Sequence, residues 1–521
     1  MAKVSARGSF HVLWGLVIST VISSVGTIFI ARLLGSDLYG LYGIALTAPT
    51  LIGVFRDWGI NSAVVRSTAQ CRAEERGAEI RQVFLSGLIF EIALGLVLSA
   101  VAFGLSGFLA TDVFHRPEIV TLIQIASVSI LATGIINAAT AAFTGTERME
   151  LNSVMLICQS IVKILIIITL VVLGLGTTGA VTGFVGGMVF GAMVGVLFMW
   201  VIYRKLPKPI GSIAGIKACT KAMLTYGTPI SLATIISSFQ TQFFAFLLPI
   251  YYLSNNSIIG NYNLATTFVV LITFFATPVT TVMFPAFSKL DAQKDKETIR
   301  NVFQFSVKYA SLLVVPVAAL VMSLAEPAVS TLFGNSYNFS GLFLALLSIT
   351  YLYTAFGSLS TVNLLISQGQ TKLSLYLTII TAAIGFPIGY ILVNRFGALG
   401  LIATTLTAGL PSLFLSLRWA NKNYGVSVDW GASVKILLSA GIAATLTYTL
   451  VSYLNWASWT RLVVGVLFFV LVFIFSALLT RAVSRSDISN LRQMAGGFGF
   501  ISTLVNQVLN FVEKLMTILR L

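Results

Sequence analysis

The stretch LLGSDLYGLYGIALT (33–47) is echoed by YLSNNSIIGNYNLATT (252–267), with Gly40 matching Gly260, Tyr42 matching Tyr262 and Ala45 matching Ala265. Two more pairs keep the same offset of about 220 residues: TGTERMEL (144–151) with QGQTKLSL (368–375), and GTTGAVTG (176–183) with GALGLIAT (397–404). Between matched positions lie six apolar stretches, an even number, so both copies enter the membrane in the same sense. That is a parallel repeat of two six-helix bundles related by an axis along the membrane normal. In transporters such repeats place the substrate path at their interface.

Working outward, the rest of the 521-residue chain agrees with a membrane setting. It is 57% hydrophobic and 9% charged, with a mean hydropathy of +0.94. Soluble domains usually carry about 25% charged residues. Apolar stretches of spanning length run from 10–34 to 460–481, and with about 20 residues to a crossing they make about 14 transmembrane helices. The first is too long for the cleavable core of a signal peptide, about 7–15 residues. Alternating ten-residue segments of a membrane barrel do not occur. The fold class is therefore all-α and polytopic, with two six-helix lobes around a central cavity plus two extra helices. The expected divisions are an N-terminal lobe (1–203), a linker (204–222), a C-terminal lobe (223–421), two additional helices (422–481) and a tail (482–521). In that tail Ile501, Leu504, Val505, Val508, Leu509, Val512, Leu515 and Leu519 share one helical face, which suits the membrane surface or packing under the bundle.

The net charge of +15 is explained by topology. Alternate loops divide 26 Lys and Arg against 4, and the rich side faces the cytoplasm. Both termini are expected there, in the cell membrane, and no nucleic-acid partner is implied. Three scattered cysteines and two separated histidines give neither a disulfide framework nor a metal centre. No phosphate-binding GxxxxGK[ST] loop is present, isolated outward carboxylates do not suit a glycosyltransferase, and the loop after the second span lacks the major-facilitator signature. The reading is a transporter and not an enzyme, with no cofactor.

An ionisable group at bilayer depth costs several kcal/mol unless it is paired or hydrated, so it marks a cavity or a staple between helices. Glu91 falls near mid-depth of the third span and Lys163 of the fifth. Arg56 and Asp57 lie deep in the second, towards the cytoplasmic side. Read as a site, they form a cationic cavity for a phosphate or diphosphate, with Glu91 or Asp57 adjusting charge or carrying a proton. Read structurally, they pair with one another. Ser19, Ser23, Ser24 and Thr27 hold one face of the first helix, either lining water or making interhelical contacts. Gln240, in the seventh span, is the preferred substrate contact among the neutral groups.

The segment ARLLGSDLYGLYGIALTAPTLIGVFRDWGINSAVVR (31–66) resembles the opening of polysaccharide and lipid-linked oligosaccharide flippases. The resemblance rests on Leu34–Gly35, the run Tyr39, Gly40, Leu41, Tyr42, then Asp57, Gly59 and the closing Arg66, with GTERMEL matching the loop after helix four. It implies the multidrug/oligosaccharidyl-lipid/polysaccharide exporter fold. It further implies movement of a polyprenyl-(di)phosphate-linked oligosaccharide between leaflets for polysaccharide or glycoprotein assembly, coupled to H+, Na+ or the membrane potential. Arg56, Lys163, Asp57, Glu91, Arg66 and Gln240 are the candidate substrate contacts. The implied partners are the lipid-linked glycan, membrane lipids and other glycan-assembly membrane proteins, and a monomer is expected. The alternative is an ion-coupled multidrug exporter on the same fold.

Overall fold

The computed structural model describes residues 2–207, 213–252, 255–290, 295–495 and scattered positions between 506 and 517. Among them every regular element is helical. Eleven helices are long and apolar enough to cross a membrane, or twelve if the bent pair Ser340–Phe356 and Ser358–Ser367 is one span. Three of the eleven segments are far longer than one crossing requires: Lys296–Phe333, with 38 residues, and two that the sequence reading splits. Ile18–Arg56 has 39 residues and Met149–Lys205 has 57, about 59 and 86 Å of helix at 1.5 Å per residue. The expectation of about 14 spans divides both at glycines, on about 30 Å of hydrocarbon per crossing; helix length alone leaves them whole.

In the first of these, helix α1 (Ala2–Gly53) is interrupted at Gly35, whose φ of 70° and ψ of 173° suit only glycine. A 3-10 turn, Val54–Arg56, ends it. Helices α2 (Ile60–Ala73), α3 (Gly77–Gly104), α4 (Val120–Gly145), α5 (Met149–Leu170) and α6 (Gly176–Lys205) follow. Between α5 and α6 the chain turns at Gly174 and Gly176, with φ of 88° and 49°. The two then pack as an antiparallel hairpin. A Cβ on Gly183, Gly187 or Gly191 would come within 3 Å of Ile167, Lys163 or Gln159 respectively. Glycine at every fourth position clears one stripe of α6, so the backbones close on dispersion contacts, the attraction that remains when lipid is the solvent.

The chain forms two compact units. The first comprises 1–264, 333–339 and 375–409, including α7 (Ile213–Tyr251) and most of α8 (Asn256–Val269). Here the repeated sequence meets itself. A Cβ on Gly40 would lie 2.0 Å from the carbonyl oxygen of Asn256, and one on Gly260 would lie 2.0 Å from that of Ser36. Since 36 and 256 are also one repeat apart, the contact is reciprocal. Ser36 and Ser257 share a hydroxyl hydrogen bond of 2.7 Å beside it. In the same unit, the Tyr337 hydroxyl donates to the Ala31 carbonyl at 2.9 Å.

The second unit comprises 265–332, 340–374 and 410–521. It includes α9 (Thr273–Ser288), α10 (Lys296–Phe333) and the short helices α11 (Ser340–Ser348) and α12 (Ser358–Ser367). After α13 (Thr371–Phe396) and α14 (Ala398–Ala408), which fall mostly or wholly in the first unit, come α15 (Leu410–Tyr424), α16 (Trp430–Tyr453), α17 (Ser458–Leu479) and α18 (Arg485–Ala495). Ser484 and Asp487 cap α18 reciprocally, with Ser484 N donating to Asp487 Oδ2 at 2.8 Å and Asp487 N to Ser484 Oγ at 3.4 Å, as a capping box does. Asp487 also accepts from Lys308 Nζ at 2.6 Å and from the Tyr309 hydroxyl at 3.1 Å. Burial alone would raise its pKa, but the bonds from Lys308 and Ser484 outweigh burial and hold it below the ordinary carboxylate value. Of the amphipathic tail face, Leu509 and Val512 are buried against Leu478 and Ile488; Ile501, Leu504, Val505, Val508, Leu515 and Leu519 lie outside the described residues, as does part of the expected linker.

Candidate transport site

The break between α1 and α2 builds the site. Pro49, inside α1, cannot donate the backbone hydrogen bond its position would otherwise make, and the helix tightens into the 3-10 turn that ends in Arg56. Asp57 is then extended, with φ −92° and ψ 100°. Its Oδ1 accepts from Gly59 N at 2.8 Å, the local turn a short acidic side chain favours. Gly59 is left-handed, with φ 80° and ψ 10°. A Cβ there would also meet the Gly227 carbonyl oxygen at 2.2 Å, so both space and backbone require glycine. Irregular backbone at membrane depth is tolerated where it lines a cavity.

Such a cavity is present, with a volume of about 470 Å³, wholly within the first unit. Arg56 and Asp57 line it with Pro49, Thr50, Gly53 and Val54 on the same segment. Ser62 of α2 and Ser129 and Thr133 of α4 add hydroxyls. The opposite wall is one stripe of α7: Ser231, Thr234, Ser238 and Gln242, spaced three and four apart on one helical face. The end of α1, α2, α4 and α7 therefore surround the opening.

Arg56 is held from behind. Its Nε lies 3.1 Å from Glu91 Oε2, and the Glu91 side chain is fully buried. The other carboxylate oxygen accepts from Asn61 Nδ2 at 2.7 Å. Gly134 of α4 leaves the room, since a Cβ there would stand 2.9 Å from Glu91 Oε2 and 3.1 Å from Arg56 Cδ. The two Nη nitrogens have no hydrogen-bond partner among the described residues, and neither is enclosed. The contact with Glu91 is an ion pair in which neither Nε nor Oε2 has a hydrogen-bond partner among the described residues, so charge holds the guanidinium and its forked donors remain for an oxyanion.

The remaining sequence candidates lie elsewhere. Lys163 does not line the cavity. It sits between α1 and α6, its Nζ 3.4 Å from Ser23 Oγ, beside Ser19 and Ser160, whose hydroxyls are 2.9 Å apart. Gln240 is buried on another face of α7, with Nε2 donating to the Thr381 carbonyl at 3.3 Å. Arg66 stacks over the Tyr226 ring at 4.2 Å from its centroid. Gln242 stands beside Gln240 among the polar groups of the seventh span, with Gln240 preferred; Asn61 and the hydroxyls of the α7 stripe are not sequence candidates. The three-and-four spacing of the stripe is the signal that finds its α7 members. No group of three or more His, Cys, Asp or Glu that could hold a metal ion occurs among the described residues.

Helices of this length around a polar cavity make a polytopic membrane protein, and the comparisons agree on that fold. A lipid II flippase, MurJ in an inward closed conformation, superposes with a TM-score of 0.68 at 16% identity, covering 90% of this chain and 98% of its own. An inward-facing multidrug transporter of the MATE family and MOP superfamily gives 0.66 at 16% identity, covering 78% and 94%. A MOP-superfamily transporter from Pyrococcus furiosus, described as having a binding pocket of reverse polarity, gives 0.54 at 19%, covering 81% and 96%. Comparison with curated proteins yields no match. Residues 29–341 match the family model described as polysaccharide biosynthesis protein, and the chain belongs to that family.

Proposed function

We propose that the protein is a flippase that carries a polyprenyl-(di)phosphate-linked oligosaccharide from the inner to the outer leaflet for cell-surface polysaccharide or glycoprotein assembly. The observation that carries this reading is Arg56, paired with Glu91 and lining a cavity in which half of the other lining residues are Ser or Thr. The guanidinium takes a phosphate or acidic sugar oxygen. The hydroxyls of Thr50, Ser129, Thr133 and Ser231 already donate to carbonyls of their own helices and offer acceptor lone pairs, while Thr234, Ser238 and the Gln242 amide offer both donors and acceptors, the complement a glycan surface needs. Its lipid tail stays in the bilayer. Glu91 balances Arg56 when no anion is bound. The membrane potential can bias the cycle, since one charge moved across 100 mV is worth about 2.3 kcal/mol; H+ or Na+ coupling is the alternative. The protein acts as a monomer in the cell membrane, alongside other glycan-assembly proteins, with both termini cytoplasmic.

Asp57 supports a second reading. It puts a carboxylate on the cavity wall, and Arg56 is already partly neutralised, an arrangement that an ion-coupled exporter of cationic compounds could use. Deletion of the protein separates the two. Lipid-linked glycan accumulating on the cytoplasmic leaflet is expected of the flippase. Unchanged glycans with altered resistance to cationic dyes would replace that reading with the exporter.

A further inference from the structure

Helix α4 has a second face. Ser129 and Thr133 look into the cavity, whereas Val128, Leu131 and Ile135 form one side of an apolar groove of about 720 Å³. Helix α6 forms the other side with Val196, Leu197 and Trp200, over a floor kept low by Ala132 and Ala192. From Val189 to Trp200 the α6 side runs about 16 Å at 1.5 Å per residue, which matches one leaflet, half of the roughly 30 Å hydrocarbon thickness. Among the described residues this groove has no helix covering it, and Met193 and Leu197 are more than half exposed.

One end of the groove is built differently from the rest. The Arg204 guanidinium lies 3.8 Å over the Trp200 ring centroid. On the neighbouring turn Arg81 of α3 lies 4.3 Å over Tyr203 and donates from Nε to the Tyr203 carbonyl at 2.9 Å. Lys205 is next in sequence and exposed. Arg204 has no hydrogen-bond partner among the described residues, so ring stacking fixes the side chain and leaves its donors unused. Aromatic and basic residues at a span end lie at headgroup depth.

From this juxtaposition we propose a phospholipid site: one acyl chain lies in the α4–α6 groove and the phosphate of a net-negative headgroup is held by Arg204 and Lys205. The single-leaflet length and the single basic cluster fit a membrane phospholipid better than a long polyprenyl chain. The charge selects an anionic headgroup over a zwitterionic one. The site is separate from the cavity, one helix away across α4.

The full-length protein in vesicles of phosphatidylcholine, doped with a diazirine-bearing phosphatidylglycerol or the same probe as phosphatidylcholine, tests this. After photolysis, adducts are mapped by peptide mass spectrometry. Phosphatidylglycerol is expected to label the groove segments of α4 and α6 preferentially. Arg204→Ala should lower that preference about fivefold, the usual worth of one basic residue at an anionic surface. Leu197→Trp, filling the groove from an exposed position, should remove the adducts while the cavity residues stay in place. Equal labelling by both probes would reduce the groove to bulk lipid contact, and an unchanged preference in Arg204→Ala would remove the headgroup assignment. Stronger labelling by a polyprenyl-phosphate probe than by phosphatidylglycerol would assign the groove to the substrate tail instead. Each of the three overturns the proposal.

Discussion

Arg56 and Arg116 belong to the same unit and are nearly equally buried, at 7% and 2% exposure, yet they do opposite things. Arg116, just before α4, donates from Nε to Asn256 Oδ1 at 2.9 Å and from Nη1 to the carbonyls of Phe114 and Pro249 at 3.0 Å. Its Nη2 donates to the Tyr252 carbonyl. Nearly all its donors are used, so it is a clamp between the start of α4 and the turn from α7 to α8. Arg56 has only its ion pair with Glu91 and makes no hydrogen bond among the described residues. Burial and residue type do not separate a structural cation from a binding one. The complement of partners does.

The largest effect expected is on the clamp. Arg116→Ala leaves three backbone carbonyls and an amide without their donor in a buried place, and should cost about 3 kcal/mol or more. Thermal unfolding of the detergent-solubilised protein measures it; an unchanged midpoint would erase the contrast. Next comes Arg56→Ala. Losing a charge-assisted contact worth roughly 2 kcal/mol should lower transport about 30-fold, read as glycan export at equal membrane abundance. The same change strands Glu91, so stability should fall as well, and Arg56→Ala with Glu91→Gln should recover stability but not transport. Recovery of transport in that double variant would make Arg56 a second clamp.

Smaller effects sharpen the comparison along α7. Gln242→Ala should cut transport about fivefold, as for one neutral hydrogen bond of roughly 1 kcal/mol. Gln240→Ala should cost stability of similar size and leave transport near the parent level; the reverse pattern would exchange their roles. The smallest effect concerns Asp487, satisfied like Arg116 and far in sequence from the site. Its carboxyl titrates below the ordinary value in the folded protein, so its stabilising contribution is present above the unfolded pKa, about 4. That contribution is lost as pH falls through the lower folded value. Amide-exchange protection of α18 should therefore hold from neutral pH down to about pH 5 and weaken only below about 4. Asp487→Asn should remove that dependence.

The all-helical, membrane-spanning fold could be read from the sequence because hydrophobic length and glycine turns are one-dimensional signals. Depth in the bilayer is nearly one-dimensional too, which is why Arg56, Asp57 and Glu91 could be singled out together. Rotation about a helix axis is not. Lys163 was chosen for its depth, and the structure places it in the seam of α1 with the α5–α6 hairpin, closed by Gly187. Gln240 and Gln242 are two residues apart, hence about 200° around the helix, and only one can look into a given opening. Arg116 is by sequence one of the four basic residues on the poor side of the membrane; nothing in sequence says that its guanidinium folds back among carbonyls.

The glycine crossing has a consequence for how such a chain can change. Gly40 rests on the backbone of the second copy as Gly260 rests on that of the first, the self-complementary contact of a symmetric homodimer carried within one polypeptide. A side chain added at either position strikes the same spot from the opposite direction. Replacing either glycine would therefore force apart the same crossing, and neither position can take a side chain while the two backbones stay in contact.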